Sequence, residues 1–267
     1  MRIFEIIDND LQRSDKTVGH LLYFEKERNF IIELIDTLDE WTAPLLLSGF
    51  VKKKIYTIPR DISFKWVCER IIPNERQNIG SILNNHRLKN YDEMKFLEIS
   101  HGKCAQDDLM VKETDILPDY IKLRMKKNLT DVFPSGETSL MCFFADNSVK
   151  RVNLSLFDDP EVEKVINNPV LLYSCKLGVG GYYATFNDSI DIPAAGLYSF
   201  GKKLNVCRDD FISFLHQNVL DTPEACELLG CTRQNLSYMI GKDRMHAVKK
   251  DVMGNLFLKS EILQSTW

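Results

Sequence analysis

The stretch Asp221-Thr-Pro-Glu-Ala-Cys-Glu-Leu-Leu-Gly230, continued by Cys231-Thr-Arg-Gln-Asn-Leu-Ser-Tyr-Met-Ile240, is the most decisive text in the chain. Asp221 and Thr222 can cap a helix whose first turn holds Pro223 and Glu224. There a missing N–H costs nothing, and a negative charge meets the positive end of the helix dipole. Ala225, Leu228 and Leu229 share one apolar face. Gly230 suits the left-handed residue that closes a helix, and Thr232 can cap the next one. The sequence therefore predicts two short helices joined by a tight turn.

In the second helix Leu236, Met239 and Ile240 recur at helical spacing and should face a core. Arg233, Gln234, Ser237 and Tyr238 are left pointing outward, with Asn235 near the boundary. That outward set matches side chains able to read base edges, Arg to guanine and Gln or Asn to adenine. Charge agrees: from Thr232 to Lys250 there are five basic residues (Arg233, Lys242, Arg244, Lys249, Lys250) against one acid, Asp243. Such clustering can neutralise phosphates.

Beyond it, Ala247-Val248 and Leu256-Phe257-Leu258 flank Met253-Gly254-Asn255, a hairpin tip that would lay Lys249 and Lys250 along a wing. The segment from about Asp221 to Leu263 resembles the winged helix-turn-helix of the excisionase and MerR-like group, whose members put the second helix in the major groove and the wing on the backbone. The resemblance implies that Arg233, Gln234, Asn235 and Tyr238 are readers and that Arg244, Lys249 and Lys250 contact phosphates. Thr232 and Ser237 complete the candidate DNA-binding set. Helix-turn-helix units also serve as protein docking modules. The tail from Asn205 onward has seven Lys/Arg against eight Asp/Glu, so a dimer or a partner would help to supply affinity.

At 267 residues the chain is long enough for two domains or three small ones. Hydrophobic content of 44% and charged content of 27% are those of an ordinary soluble globular protein. The formal charge of −4 argues against a nucleic-acid coat, a histone-like protein or a membrane-surface binder, while leaving room for a local basic patch. No leading stretch has the character of a signal peptide and no apolar run reaches membrane-spanning length, so a cytoplasmic location is expected. Seven cysteines, at 68, 104, 142, 175, 207, 226 and 231, lack a CxxC pair and read as reduced thiols. Cys226 and Cys231 have no metal-spaced His nearby; they are expected as small core residues.

From about Tyr120 to Lys203 the pattern changes to short strands and turns. Leu140–Phe144 and Val149–Leu154 read as a hairpin around an Asp146-Asn147 turn. Asp159 and Pro160 start a short helix through Ile166. Val170–Cys175 and Tyr182–Phe186 are the next expected strands, joined through Gly178-Val-Gly-Gly181, and Ile190–Ile192 leads to Pro193 and a last helical turn. The glycine cluster lacks the following helix and the Lys of a phosphate loop, so a hairpin loop is the reading. This order, with Phe144-Ala-Asp146-Asn147 and Tyr183-Ala-Thr-Phe186-Asn-Asp188-Ser-Ile-Asp191-Ile192, resembles the small bacterial domain of unknown function numbered 2442. Such domains often lie next to helix-turn-helix modules, and no enzymatic activity comes with the resemblance, which supports a regulator or an antitoxin-like adaptor.

Residues 1 to about 117 read as mostly helical after a first strand at Ile3 to Ile7. Leu21 to Ile35 mixes strand and helix periods. Helices are expected over Phe64–Ile72, from Pro73 through Leu83, and over Tyr91–Ser100. Lys52-Lys-Lys54 reads as a core segment leaving into solvent. Glu69-Arg70-Ile-Ile-Pro73, Arg76–Ile79, Tyr91–Glu93 and Gln106–Asp108 resemble segments associated with HipA-type toxins, but the phosphate loop, nucleotide-binding Lys and catalytic Asp of a kinase are not found in order. His101 with Asp107 and Asp108, and His86 nearby, could form a base with paired acids. Adjacent Asp residues are more often a loop or helix cap, and no nucleophile has recognisable flanking text.

The expectation is an α+β, multidomain protein: a helical N-terminal domain (1–118), a small β-rich α+β domain (119–204) and a C-terminal winged helix-turn-helix (205–267). Its expected function is transcriptional regulation by binding double-stranded DNA, as a homodimer, without catalytic residues, metal, cofactor or membrane. The alternative is an antitoxin-like adaptor whose helix-turn-helix docks a protein partner. An enzyme built on the front domains ranks third.

Overall fold

The computed structural model describes residues 1–11, 16–205, 208–252 and 254–266; of Arg208, Asp209, Phe211, Lys250, Asp251 and Val252 only the backbone is described. Cys207, expected as a reduced thiol, and Met253, expected at the hairpin tip, lie outside the described residues. The architecture is α+β, divided into two compact units, Met1–Ile121 and Lys122–Trp267.

The first unit is built on a five-stranded antiparallel sheet rather than on helices. Its strands are β1 (Arg2–Asp8), β2 (Thr17–Phe24), β3 (Asn29–Leu34), β4 (Thr57–Ile58) and β5 (Leu109–Thr114), in the order β4-β3-β2-β1-β5. The mostly helical expectation fails here for a definable reason. β2 is buried at every position from Val18 to Phe24, and β3 from Phe30 to Leu34. With both faces covered, the polar alternation that marks a half-exposed strand is absent.

Helices α1 (Ser48–Lys52), α2 (Arg60–Cys68), α3 (Ile79–Asn85) and α4 (Glu93–Ser100) complete this unit. Trp66 and Val67 of α2 and Met94 and Leu97 of α4 join Phe4, Leu21, Tyr23, Phe30 and Ile32 in one core. α2 begins four residues before the expected Phe64, directly after Pro59, because Ser63 belongs to it: its buried hydroxyl accepts from the Ile32 N–H (3.0 Å) and donates to the Ile58 carbonyl (3.2 Å). α4 starts where Asp92 accepts from the Lys95 N–H.

After α5 (Asp119–Met125), the second unit opens with β6 (Leu129–Pro134), β7 (Ser139–Phe144) and β8 (Val149–Asn153), an antiparallel meander. The expected hairpin turn is there, with Asn147 at φ 64° and the Ser148 N–H donating to Asp146. α6 (Pro160–Ile166) is capped by Asp159, as its sequence predicts. Val170–Cys175 is not a strand. Asn168 accepts from the Leu171 N–H and Pro169 occupies the first turn, so the chain enters a short helix, α7 (Pro169–Tyr173), before β9 (Cys175–Leu177). A cap and a proline at the first position outweigh the β propensity of an apolar run.

Strands β9, β10 (Tyr183–Phe186) and β11 (Ile190–Pro193) form a second sheet, followed by α8 (Ala194–Phe200) and a short edge strand, β12 (Lys202–Lys203), which returns to pair with β8. The glycine cluster is the loop between β9 and β10. Gly181, at φ 69°, packs so closely that an added Cβ would lie 2.0 Å from the Leu129 carbonyl oxygen. The chain ends in α9 (Arg208–Asn218), β13 (Val219–Leu220), α10 (Thr222–Leu229), α11 (Arg233–Gly241), β14 (Lys249–Val252), β15 (Gly254–Leu258) and α12 (Lys259–Gln264). A third small sheet has the order β13-β15-β14. No helix among the described residues is long and apolar enough to cross a membrane.

The C-terminal elements are tied to the β meander by one buried polar contact. Ser260 Oγ of α12 donates to Asp131 Oδ2 of β6 at 2.9 Å, and Gln264 Nε2 donates to the Thr130 carbonyl at 3.0 Å. Burial pushes the Asp131 carboxyl up to about 6, although Ser260, the Val132 N–H and Lys259 pull the other way. An acid whose native pKa exceeds its unfolded value is bound by more protons in the folded state between those two values, so stability falls as pH rises across that interval. From about pH 4 to about pH 6 the loss should be about 3 kcal/mol. Asp131→Asn should flatten that dependence and leave the protein more stable than wild type near neutral pH, as measured by urea unfolding on both sides of the window.

Candidate nucleic-acid interface

The helix pair is built by its caps. The Asp221 carboxylate accepts from the Glu224 N–H while the Glu224 carboxylate accepts from the Asp221 N–H, both at 2.8 Å, a reciprocal capping box that pins the start of α10. Gly230 closes α10 at φ 61°, and the Cys231 N–H returns to the Cys226 carbonyl. Thr232 then accepts from the Asn235 N–H at 3.3 Å and starts α11. Only Gly230, Cys231 and Thr232 separate the two helices.

A small apolar cluster decides which side of α11 faces water. Leu236 is buried with Ala225 of α10, Met245, Phe257 of β15 and Ile262 of α12; Met239 and Ile240 pack partly against them. With these three turned inward, Arg233, Gln234, Asn235, Ser237 and Tyr238 are all exposed, Tyr238 at 56%. Asn235, expected near the boundary, lies in the open. Gly241 shares the outward side, and no atom comes within 4 Å of where its Cβ would be. A flat, side-chain-free position in the row lets a partner's surface approach the backbone.

Lys242 belongs to this face, although its place was not predicted beyond the charge count. Its N–H caps the helix end, and its ammonium lies 5.9 Å from the centre of the Tyr238 ring. The signal was available: Lys242 follows Tyr238 by four residues, and positions four apart are neighbours on a helix.

The following segment is pinned at alternate points. The Arg244 N–H donates to the Met239 carbonyl (3.0 Å), Met245 is buried, the His246 N–H donates to Glu261 Oε1 (2.8 Å), and the Val248 N–H donates to the Leu256 carbonyl (2.7 Å). Arg244 and Lys249 remain exposed between these anchors. β14 and β15 make the hairpin, with Lys249 opposite Leu256, and the Thr222 hydroxyl meets the Asn255 carbonyl at 3.5 Å. β13 pairs Val219 with Leu258 and Leu220 with Phe257. The Lys250 side chain lies outside the described residues. Arg233, Lys242, Arg244 and Lys249 are thus four exposed cations carried by one short span, with Asp243 as its single acid.

Cys226 and Cys231 pack partly against the same cluster, and burial together with the neighbouring Cys226 pushes the Cys231 thiol up. No group of three or more His, Cys, Asp or Glu among the described residues could hold a metal ion.

Of the residues weighed for catalysis, Asp107 is an ion-pair partner. Asp107 accepts from Arg70 Nη1 at 2.8 Å, and Arg70 itself is buried, with its guanidinium 4.0 Å from the centre of the Trp66 ring and bonded to the Gly102 carbonyl. Burial alone would push the Asp107 carboxyl up; the hydrogen bonds and charge of Arg70 bring it below its ordinary value. It is therefore a committed ion-pair partner. Asp108 is pushed up by the neighbouring Asp10 carboxylate. His101 ends α4 in the left-handed conformation and His86 ends α3.

Removing the reciprocal cap by Asp221→Ala should cost about 1 kcal/mol. Gly230→Ala should cost a similar amount, about 1–2 kcal/mol, through left-handed strain alone because the site is otherwise open. Both are read as shifts in the urea midpoint, with the ends of α10 losing amide protection first.

No family model, curated protein or solved structure matches the chain.

Proposed function

We propose that the C-terminal module is a winged helix-turn-helix that reads duplex DNA and that the chain is a transcriptional regulator. The observation that carries this reading is the exposed row Arg233, Gln234, Ser237, Tyr238 and Lys242 on α11, held outward by the burial of Leu236. Its donors and acceptors suit base edges in the major groove, while Arg244 and Lys249 suit phosphates on either side. In this reading α11 lies in the groove, the β14–β15 hairpin follows the backbone, and Asn235 and Thr232 sit at the end of the helix that approaches the bases. A homodimer would place two such helices on half-sites about 34–36 Å apart.

The second reading, a protein-docking adaptor of antitoxin type, is supported by apolar groups exposed in the same module: Leu228, Val248 and Tyr238. Hydrophobic docking of this kind is nearly insensitive to salt, whereas phosphate neutralisation is strongly weakened by it.

Selection of bound duplexes from a random pool at about physiological salt tests the proposal. An enriched, two-fold motif is expected. Arg233→Ala should then cost about 1–3 kcal/mol and relax preference at one base pair, while Lys249→Ala should weaken all sequences alike. No enrichment, with both variants indistinguishable from wild type, would hand the module to the docking reading.

A further inference from the structure

The edge of the β meander carries an arrangement that stability alone does not account for. β12 pairs with β8 so that Lys202 faces Arg151 and Lys203 faces Lys150, two like-charged pairs directly opposite one another. Such pairs are destabilising, whereas an acid at either place on β12 would have paired favourably. Lysines on an edge strand also discourage further pairing, but that does not call for placing them opposite Arg151 and Lys150.

The charges also converge. Lys150 Nζ sits 3.4 Å from the centre of the Tyr198 ring and donates to the Tyr198 carbonyl at 2.6 Å, and Lys127 Nζ approaches the same ring to 5.5 Å. Burial, with the charges of Lys127 and Lys203, holds the Lys150 ammonium below the usual lysine value despite the opposing Asp146 carboxylate. Asp146 itself is occupied by the Tyr198 hydroxyl (2.7 Å) and the Ser148 N–H (2.9 Å). On the other face of the strand pair Arg151 is neutralised by Asp210 at 2.7 Å. Among the described residues, Lys127, Lys202 and Lys203 form no salt bridge.

We propose that Lys127 and Lys150, gathered around the Tyr198 ring, together with Lys203 opposite Lys150 on β12, are a second contact for the phosphodiester backbone of duplex DNA, separate from the α11 face. The inference rests on the DNA-binding reading and extends it: the middle β-rich region contributes affinity without sequence preference. Three ammonium groups with one occupied carboxylate among them leave positive charge that a phosphate oxygen can balance, and the repulsion built into the β8–β12 pair is relieved when an anion binds.

The test uses the full chain and a random-sequence duplex, with binding measured across a salt series. Lys203→Glu gives Lys150 an opposite-charge partner, so its thermal midpoint should hold or rise while its affinity falls. Stability and binding thus move in opposite directions, which a purely structural lysine would not do. The double variant Lys127→Gln/Lys203→Glu should make the slope of log affinity against log salt shallower by about two and lower affinity about tenfold or more. A slope and affinity unchanged from wild type, or a wild type that binds no duplex, would overturn the contact. Lys127→Gln, away from the strand edge, keeps the test decisive if Lys203→Glu unfolds. Arg233→Ala run in parallel separates the two readings. If it leaves the preferred duplex as tightly bound while the lysine variants lose slope, the α11 assignment fails and the backbone contact stands; the reverse pattern removes the contact and keeps the reading helix.

Discussion

The burial of Leu236 among Ala225, Met245, Phe257 and Ile262 is the contact on which the candidate interface depends. It fixes the rotation of α11, and rotation alone decides which side chains a partner meets. Turned by one residue, about 100°, the helix would sink Arg233 or Ser237 and present Met239 or Ile240 instead. Five buried residues make a small core, each worth roughly 1.5–3 kcal/mol for the larger side chains, and ordering the surrounding chain costs most of that. The module therefore leans on reciprocal caps within and on a neighbour without. Asp221 with Glu224, Gly230 and Thr232 supply the first; Ser260 on Asp131 and Gln264 on Thr130 supply the second.

A buried carboxylate is a strange choice for a joint, because an apolar pair of the same shape would hold without a titrating group. Asp131 gives the joint direction instead. Its acceptor oxygens take Ser260 from α12 and the Val132 N–H from its own strand, so α12 is held in one register against β6. Leu263 then packs into the core of the β-rich region.

What the sequence made legible was local chemistry. Caps announce themselves within four residues, and Asp159-Pro160, Asp221 with Glu224, Gly230 and Thr232 all stand where their chemistry requires. The outward set on α11 was readable for the same reason, since a helix writes its faces at a fixed period. What stayed hidden was made by distant partners. β2 and β3 read ambiguously because burial on both faces erases alternation. Arg70 finds Asp107 across 37 residues, so one of the paired acids is an ion-pair partner, a role set by a residue distant in the chain. At Val170–Cys175 the apolar run reads as a strand, but the Asn168 cap and Pro169 in front of it start a helix.

Charge shows the same division between what a chain spells out and what a fold assembles. The net −4 belongs wholly to residues 1–121, which carry 17 Lys/Arg and 21 Asp/Glu; residues 122–267 carry 17 of each. A neutral unit can hold a polyanion only by segregating its charges, and two kinds of segregation are present. The cations from Arg233 to Lys249 are contiguous in sequence, so a running count finds them. Lys127, Lys150 and Lys203 lie far apart in the chain and meet only because β12 brings Lys203 opposite Lys150 on β8 and α8 sets Tyr198 against Lys127 and Lys150. Several acids of the same unit are engaged elsewhere: Asp221 and Glu224 in a cap, Asp159 in another, Asp146 by a hydroxyl, Asp210 by Arg151. One carboxylate, Asp146, lies against three ammonium groups and offsets only part of their charge. The remaining positive potential is set by the fold and is available to a partner that brings its own negative charge.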